Sequence, residues 1–424
     1  MLDYKLTEFD NGLKVITAPL PNTKAVSVFI LIGTGSRYET KEESGIAHFL
    51  EHMFFKGTKN RPKTIDIARE LDSVGASYNA FTGEEYTGFY VRAETSHFDL
   101  ALDILHDMIT NSLFDSKEIE KEKGVIYEEI NMIKDLPASY VEYVMKELLY
   151  GAQPLGRMIT GTFETISKMD RKTFTGFLNR FYKPENMIIV IAGGNDNNWL
   201  TKIKQKFGNI ENLKPQKFDK ISENQSAPQV KIFHKTTDQA HFILGFRALK
   251  RTDERRPTLK VLNNILGATM SSRLFIEVRE KRGLCYYISS DIADFIDTGF
   301  WGVSAGVDIK RAEEAVKVIL EEFSKAKISE VTDEELTRAK ENLKGHLYLS
   351  LEESMNVAQF LAEQEMFWEF IDDPDKVVAD IQKVTKEDVQ KLANDIFKKE
   401  NLNLAMVGPF KEEEKFKKIL GEFK

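Results

Sequence analysis

Cysteine is almost missing: Cys285 is the single one among 424 residues. One thiol closes no internal disulfide, and the expected setting is a reducing, cytoplasmic compartment. No apolar run reaches the length needed to span a bilayer. The N-terminal stretch MLDYKLTEFDNGLKVITAPL has neither a basic-then-apolar signal pattern nor an Arg/Ser-rich transit composition, and is expected to be strand from the outset. A positive surplus is missing as well. Lys and Arg number 59 against 67 Asp and Glu, for a net charge of −8 and a pI near 5.6. That balance excludes a general attraction to nucleic acid or to an anionic membrane, so neither is expected as a partner. What is present is a soluble globular mixture, 42% hydrophobic and 30% charged with the charges interleaved. The length exceeds one ordinary domain and suits two or three.

The chain repeats itself. ETISKMDRKTFTGFLNRFYKPENMIIVIAGG (164–194) resembles ADIQKVTKEDVQKLANDIFKKENLNLAMVGP (379–409), with Ile166 matching Ile381, Lys168 matching Lys383 and Gly193 matching Gly408, all at an offset of 215. DLALDIL (99–105) resembles EEAVKVI (313–319) at 214, and DSKEIEKEK (115–123) resembles TDEELTRAK (332–340) at 217. Matches in the same order at nearly one offset indicate a duplicated unit of roughly 210 residues. The expected boundaries are a first domain over 1–213, a polar linker over 214–229 and a second domain over 230–424.

Within the first half, KLTEF-DNG-LKVITAPL reads as a hairpin with turn residues at its tip. AVSVFILIG and NMIIVIAGG read as buried strands, and SYNAFTGEEYTGFYVRAE as a long strand or a tight pair. Helices are expected near 44–55, 64–73, 96–112, 116–134, 138–150 and 170–181. Strands and helices mix without strict βαβ alternation, so the fold class is α+β: two tandem duplicated domains, each a largely antiparallel sheet packed with helices.

The chemistry concentrates in HFLEHMFF (48–55). On a helix, His48 and His52 lie on one face a turn apart and can aim both imidazoles at one ion. Glu51 borders the same face without being forced to ligate. This His-x-x-Glu-His order is the inverzincin signature. A catalytic zinc needs three protein ligands and an open position. It lowers the pKa of water, and a nearby carboxylate accepts the proton. The bland alternative, polar residues that happen to share an apolar helix, would bury three such groups without a partner.

A third ligand should come from another element. EIEKEKGVIYEEINMIKD (118–135) offers Glu122, Glu128 and Glu129. Glu129 has Val125, Ile126, Met132 and Ile133 at helical spacing and is expected to point to the apolar side, while Glu128, with Gly124 and Asn131, is expected to face solvent. Glu122 lies seven residues earlier, ~10 Å along the axis, where it could orient a ligand histidine. On the residues alone a solvated charge remains the alternative for each.

His48-x-x-Glu51-His52, then the 76 residues 53–128, then Glu129 resembles the pitrilysin family of zinc peptidases, which takes in insulin-degrading enzyme, the mitochondrial processing peptidase and short bacterial homologues. SGIAHFLEHMFFKGT (44–58), NAFTGEEYTGFYV (79–91), EKEKGVIYEE (120–129) and SSRLFIEVREKRGLCY (271–286) also resemble family motifs, and the resemblance spans the whole chain. It implies one zinc per chain held by His48, His52 and Glu129, with Glu51 as general base and Glu122 as the additional acidic residue. It also implies that Arg279 and Tyr286 contact substrate carbonyls and that Asn79, Ala80 and Phe81 lie along the bound peptide. Without it, Arg279 reads as a surface ion-pair partner and Tyr286 as core, with Tyr287 the close alternative on the opposite side of any strand. Cys285 reads as a small buried hydrophobe.

The second half lacks the motif. At offset 217 Glu129 falls on His346, and TLKVLNNILGAT (258–269), the counterpart of the first helix, has neither His nor Glu. Two domains resemble the short bacterial and mitochondrial type, in which two chains face each other as halves of a clamshell chamber. The resemblance thus implies a homodimeric metalloendopeptidase acting on short or unfolded peptides. The competing expectations are a noncatalytic core subunit of the same fold and a metal-binding protein without hydrolase activity.

Overall fold

The computed structural model describes residues 2–194, 198–214 and 216–424. In chain order the first half contains strands β1 (Lys5–Glu8), β2 (Lys14–Pro19), β3 (Ala25–Ile32), β4 (Ser77–Thr82), β5 (Thr87–Glu94) and β6 (Met187–Gly193). Its helices are α1 (Ile46–Phe54), α2 (Thr64–Ser73), α3 (Phe98–Asn111), α4 (Ser116–Asp135), α5 (Pro137–Tyr150), α6 (Phe163–Lys168), α7 (Arg171–Phe181) and α8 (Trp199–Phe207). The second half contains strands β7 (Gln229–His234), β8 (Gln239–Arg247), β9 (Cys285–Asp294), β10 (Gly299–Asp308) and β11 (Leu402–Gly408). Its helices are α9 (Arg256–Asn263), α10 (Ala312–Ile328), α11 (Asp333–Ser350), α12 (Ser354–Trp368), α13 (Pro374–Lys383), α14 (Lys386–Ile396) and α15 (Glu414–Gly421).

The strands form two mixed, mainly antiparallel sheets, ordered β1-β2-β6-β3-β5-β4 and β7-β11-β8-β10-β9. Each has one parallel pair at the matching place, β2 with β6 and β7 with β11. β6 and β11 keep the 215-residue offset at both ends. So do their preceding helix caps: Asp170 accepts the Thr173 N–H at 2.9 Å ahead of α7, and Thr385 accepts the Asp388 N–H at 3.1 Å ahead of α14. The Asn11–Gly12 turn between β1 and β2 requires a φ of 81° at Gly12, a conformation that favours glycine. The 77–94 stretch is the tight pair, turning at 83–86. The short helices α6 and α8 lie outside the expected set.

Each sheet anchors its own compact unit. The first comprises the chain up to Ile130, Arg157–Asp219 and Tyr348–Asp373; the second comprises Asn131–Gly156, Lys220–Leu347 and Pro374–Lys424. The contiguous boundaries 1–213 and 230–424 therefore do not describe the compact units, which exchange a helical segment. β3 and β6 are buried along nearly their whole length, so both sheet faces need covering. In the first unit α1, α3, α7 and α8 cover one face. The other is covered by α12, through Val357, Ala358, Leu361 and Ala362 against Ile16, Phe29, Leu31 and Val190. Buried Ser354 and Ser27 share a 2.9 Å hydrogen bond, and Lys14 pairs with Glu365 at 2.6 Å. The second unit is built the same way, with α5 placing Val141, Val144 and Met145 against Ile243, Ala405 and Val407. Among the described residues no helix is long and apolar enough to cross a membrane.

Candidate metal centre

In α1, IAHFLEHMF, the side chains of Ile46, Ala47, Phe49, Leu50, Met53 and Phe54 are buried in the core of the first unit. That packing fixes the roll of the helix and leaves His48, Glu51 and His52 on its remaining face. α4 runs alongside and brings Glu122 and Glu129 to that face. His48 Nε2 lies 3.5 Å from Glu129 Oε1, and His52 Nε2 lies 3.7 Å from Glu129 Oε2. The two imidazoles stand 4.6 Å apart between centroids, tilted by 63°. One ligand atom from each of His48, His52 and Glu129 can be chosen so that all lie within 4.8 Å of one another.

These separations lie at or beyond the limit of a hydrogen bond and suit a shared cation. A tetrahedral zinc with bonds of ~2.0–2.1 Å sets its ligand atoms roughly 3.3 Å apart, so small side-chain rotations suffice. Hydrogen bonding around the site points the same way. His52 Nδ1–H donates to Glu122 Oε1 at 2.9 Å, which leaves Nε2 facing Glu129. Lys56 Nζ holds the other oxygen of Glu122 at 2.7 Å. Burial pushes the Glu122 carboxyl up, but the hydrogen bonds from His52 and Lys56 outweigh it and hold the group below the usual carboxylate range. Burial likewise pushes His52 down, and its bond to Glu122, with the charges of Glu122, Glu129 and Glu51, brings it above an ordinary histidine. The imidazole of His48 draws Glu129 below its ordinary value against the effect of burial. The residues fit zinc.

Glu51 is half-buried on the same face. Its Oε2 accepts from Thr82 Oγ1 at 2.5 Å. Thr82 ends β4, which lies at the border of its sheet and pairs only with β5 among the described residues. Asn79 is exposed and Ala80 is buried on the side of α1. Phe81 points to the opposite side, where its ring packs 6.1 Å from Phe29 and 6.0 Å from Tyr86.

The choice of Glu129 over Glu128 agrees with their placement, since Glu128 is exposed. The flank of Glu129 is not uniformly buried: Val125 and Met132 are 50% and 55% exposed. Glu129 is singled out by α1, not by an apolar stripe on its own helix. Thr82 and Lys56 were not anticipated. Thr82 shares alternation with Ala80, a signal that marks a strand face and not a partner for Glu51.

In the second unit, Arg279 lies in the short helical segment Phe275–Glu280, its guanidinium 4.7 Å from the Phe275 ring centroid. Tyr286 is 76% exposed on β9, again a border strand. Tyr287 faces the other way, its hydroxyl 2.9 Å from His241 Nδ1, so the two tyrosines are separated as alternation requires. Cys285 is half-buried, and burial lifts its thiol to about 11. His346 is exposed on α11. Asn264, which follows α9, donates to Asn342 on α11 at 2.7 Å. An amide pair thus joins the helices that correspond to α1 and α4, and among the described residues the second unit gathers no metal-binding group.

Comparison with known proteins agrees with this division. Residues 14–163 match the family described as insulinase (peptidase family M16), and residues 168–343 match the peptidase M16 inactive domain. A Bacillus subtilis protein described as the uncharacterized zinc protease YmxG is 35% identical over 399 residues, covering 94% of this chain and 97% of its own. A Streptomyces coelicolor protein described as the uncharacterized zinc protease SCO5738 is 34% identical over 415 residues, covering 96% and 90%. The same fold occurs in the crystal structure of a protease from Helicobacter pylori, with a TM-score of 0.90 at 24% identity over 96% of this chain and all of that one. Two matched domains and relatives aligned over nearly their full length leave one assignment: the chain belongs to the insulinase (M16) family of peptidases, the pitrilysin-type zinc metallopeptidases, in its two-domain bacterial form.

Proposed function

We propose that this protein is a cytoplasmic zinc-dependent endopeptidase that hydrolyses short or unfolded peptides, with one ion per chain held by His48, His52 and Glu129. The observation that carries the reading is the convergence of those three side chains beside Glu51 and an open sheet border. Zinc bound there would act as a Lewis acid, acidifying water and polarising a peptide carbonyl.

The rest falls to the chain's own residues. β4 offers its free edge to an extended peptide, whose main-chain hydrogen bonds give affinity without reading sequence, so broad specificity follows. Asn79 and Ala80 would flank the scissile bond. Phe81, turned to the far face, contributes backbone. Thr82 holds Oε2 of Glu51 and leaves Oε1 to take the proton of the attacking water and return it to the leaving amine. Arg279 and Tyr286 are donors that can hold a carbonyl and steady negative charge on its oxygen. A second copy of this chain would supply them, in a homodimer.

Incubation with a mixture of unstructured peptides, with new termini followed by mass spectrometry, tests the activity. Cleavage should appear, vanish with a chelator and return with zinc. Zinc binding without chelator-sensitive cleavage would sink the peptidase reading and favour the metal-binding or noncatalytic alternatives. The two-chain arrangement has a separate test. After subunit exchange between Glu51→Gln and Tyr286→Phe dimers, hybrids carry one intact site each, and activity should rise to about a quarter of the wild-type value. No gain despite verified exchange would place Glu51 and Tyr286 of one site in the same chain.

A further inference from the structure

α1 is short, and its cap position cannot carry a capping side chain. Gly45 has a φ of 97°, and a Cβ there would lie 2.8 Å from Gly161 Cα, Ile166 Cδ1 and Thr160 O. The position must be glycine, so the N–H groups that open the helix need an acceptor from elsewhere. Glu39 supplies it. Its Oε2 accepts from Gly45 N–H at 2.8 Å and its Oε1 from Ala47 N–H at 2.9 Å. Both oxygens are engaged, and the residue is 4% exposed.

Glu39 is itself held in place. Its carbonyl accepts from Arg157 Nη2 at 2.7 Å. Two residues earlier, the Arg37 N–H donates to Glu84 O at 2.8 Å and Arg37 Nη1 pairs with buried Glu85 Oε1 at 2.7 Å. The segment 37–39 thus ties the β4–β5 turn to the start of the metal-binding helix.

We infer that Glu39 is a positioning residue: its carboxylate sets the first turn of α1 and thereby the height of His48 relative to Glu129. This rests on the peptidase reading above. Burial lifts the group to about 8, against the two backbone N–H groups that lower it. Relative to an unfolded carboxyl near 4.5, the folded chain then holds the proton more tightly. Stability contributed by this group therefore declines as pH rises between those values. An amide in its place offers one acceptor to the two N–H groups of Gly45 and Ala47.

In Glu39→Gln, zinc affinity, measured by competition with a chromophoric chelator, should fall by about tenfold or more. At saturating zinc, kcat should fall with KM unchanged, because the β4 edge is untouched. The melting temperature of the metal-free protein should stay within about 3 °C of wild type. Glu39→Asp, one methylene short, should show the same loss of zinc affinity. Wild-type zinc affinity in both variants would overturn the inference, as would a loss in Glu39→Gln that Glu39→Asp fully restores. Because zinc affinity is read without hydrolysis, failure of the peptidase reading would show separately, as a wild type that binds zinc and cleaves nothing.

Discussion

Glu51→Gln should abolish peptide hydrolysis while zinc remains bound. Glutamine keeps the volume of the side chain, and its amide oxygen can still accept from Thr82 Oγ1, which now sits 2.5 Å from Glu51 Oε2. His48, His52 and Glu129 are untouched. What disappears is the group that accepts a proton, and removing a positioned general base costs typically about a hundredfold to ten-thousandfold. A thousandfold loss in kcat/KM corresponds to about 4 kcal/mol of transition-state stabilisation. The measurements are kcat/KM on an unstructured peptide and zinc content per chain. Activity within tenfold of wild type, with zinc retained, would remove Glu51 from the chemistry.

Glu129→Gln should weaken zinc binding far more than it alters the fold. Glu129 is the ligand proposed from α4, and it faces both His48 and His52 at 3.5 and 3.7 Å. An amide oxygen is a neutral and poorer ligand than a carboxylate, and two imidazoles on one helix leave the ion underligated. Affinity should drop by more than about a hundredfold, beyond the range seen when only an orienting partner is lost. Hydrolysis should disappear at trace zinc and recover in part at high zinc. The control is one residue away: Glu128 is exposed, and Glu128→Gln should leave zinc affinity within about twofold. Equal effects at the two positions would show that net charge on α4, not the geometry of Glu129, governs binding.

The contrast between these neighbours shows how far local pattern reaches. Helical spacing placed His48, Glu51 and His52 on one face and separated Glu128 from Glu129. Yet two of the apolar neighbours that set Glu129 apart, Val125 and Met132, are solvent-exposed, so the apolar flank reaches less far than helical spacing implies. Strand alternation likewise separated Tyr286 from Tyr287. Thr82 and Glu39 carry no comparable mark. A threonine that ends a strand and a glutamate ahead of a helix are common, and their partners lie on other segments.

By itself the sequence determined the duplication, the strand and helix periods, the turn of the first hairpin, and the shared face of His48, Glu51 and His52. All of these depend on residues within a turn or two of one another, or on a repeat at a fixed offset. The tertiary structure alone decided which helix covers which sheet. β3 and β6 announce that both their faces must be buried, but an apolar stripe on α5 or α12 does not itself name the sheet it covers. The exchange of those helices, the approach of α4 to α1 and the reach of Glu39 to the first turn of α1 follow from long-range packing, where shape and the satisfaction of buried polar groups select among partners that local periodicity leaves equivalent.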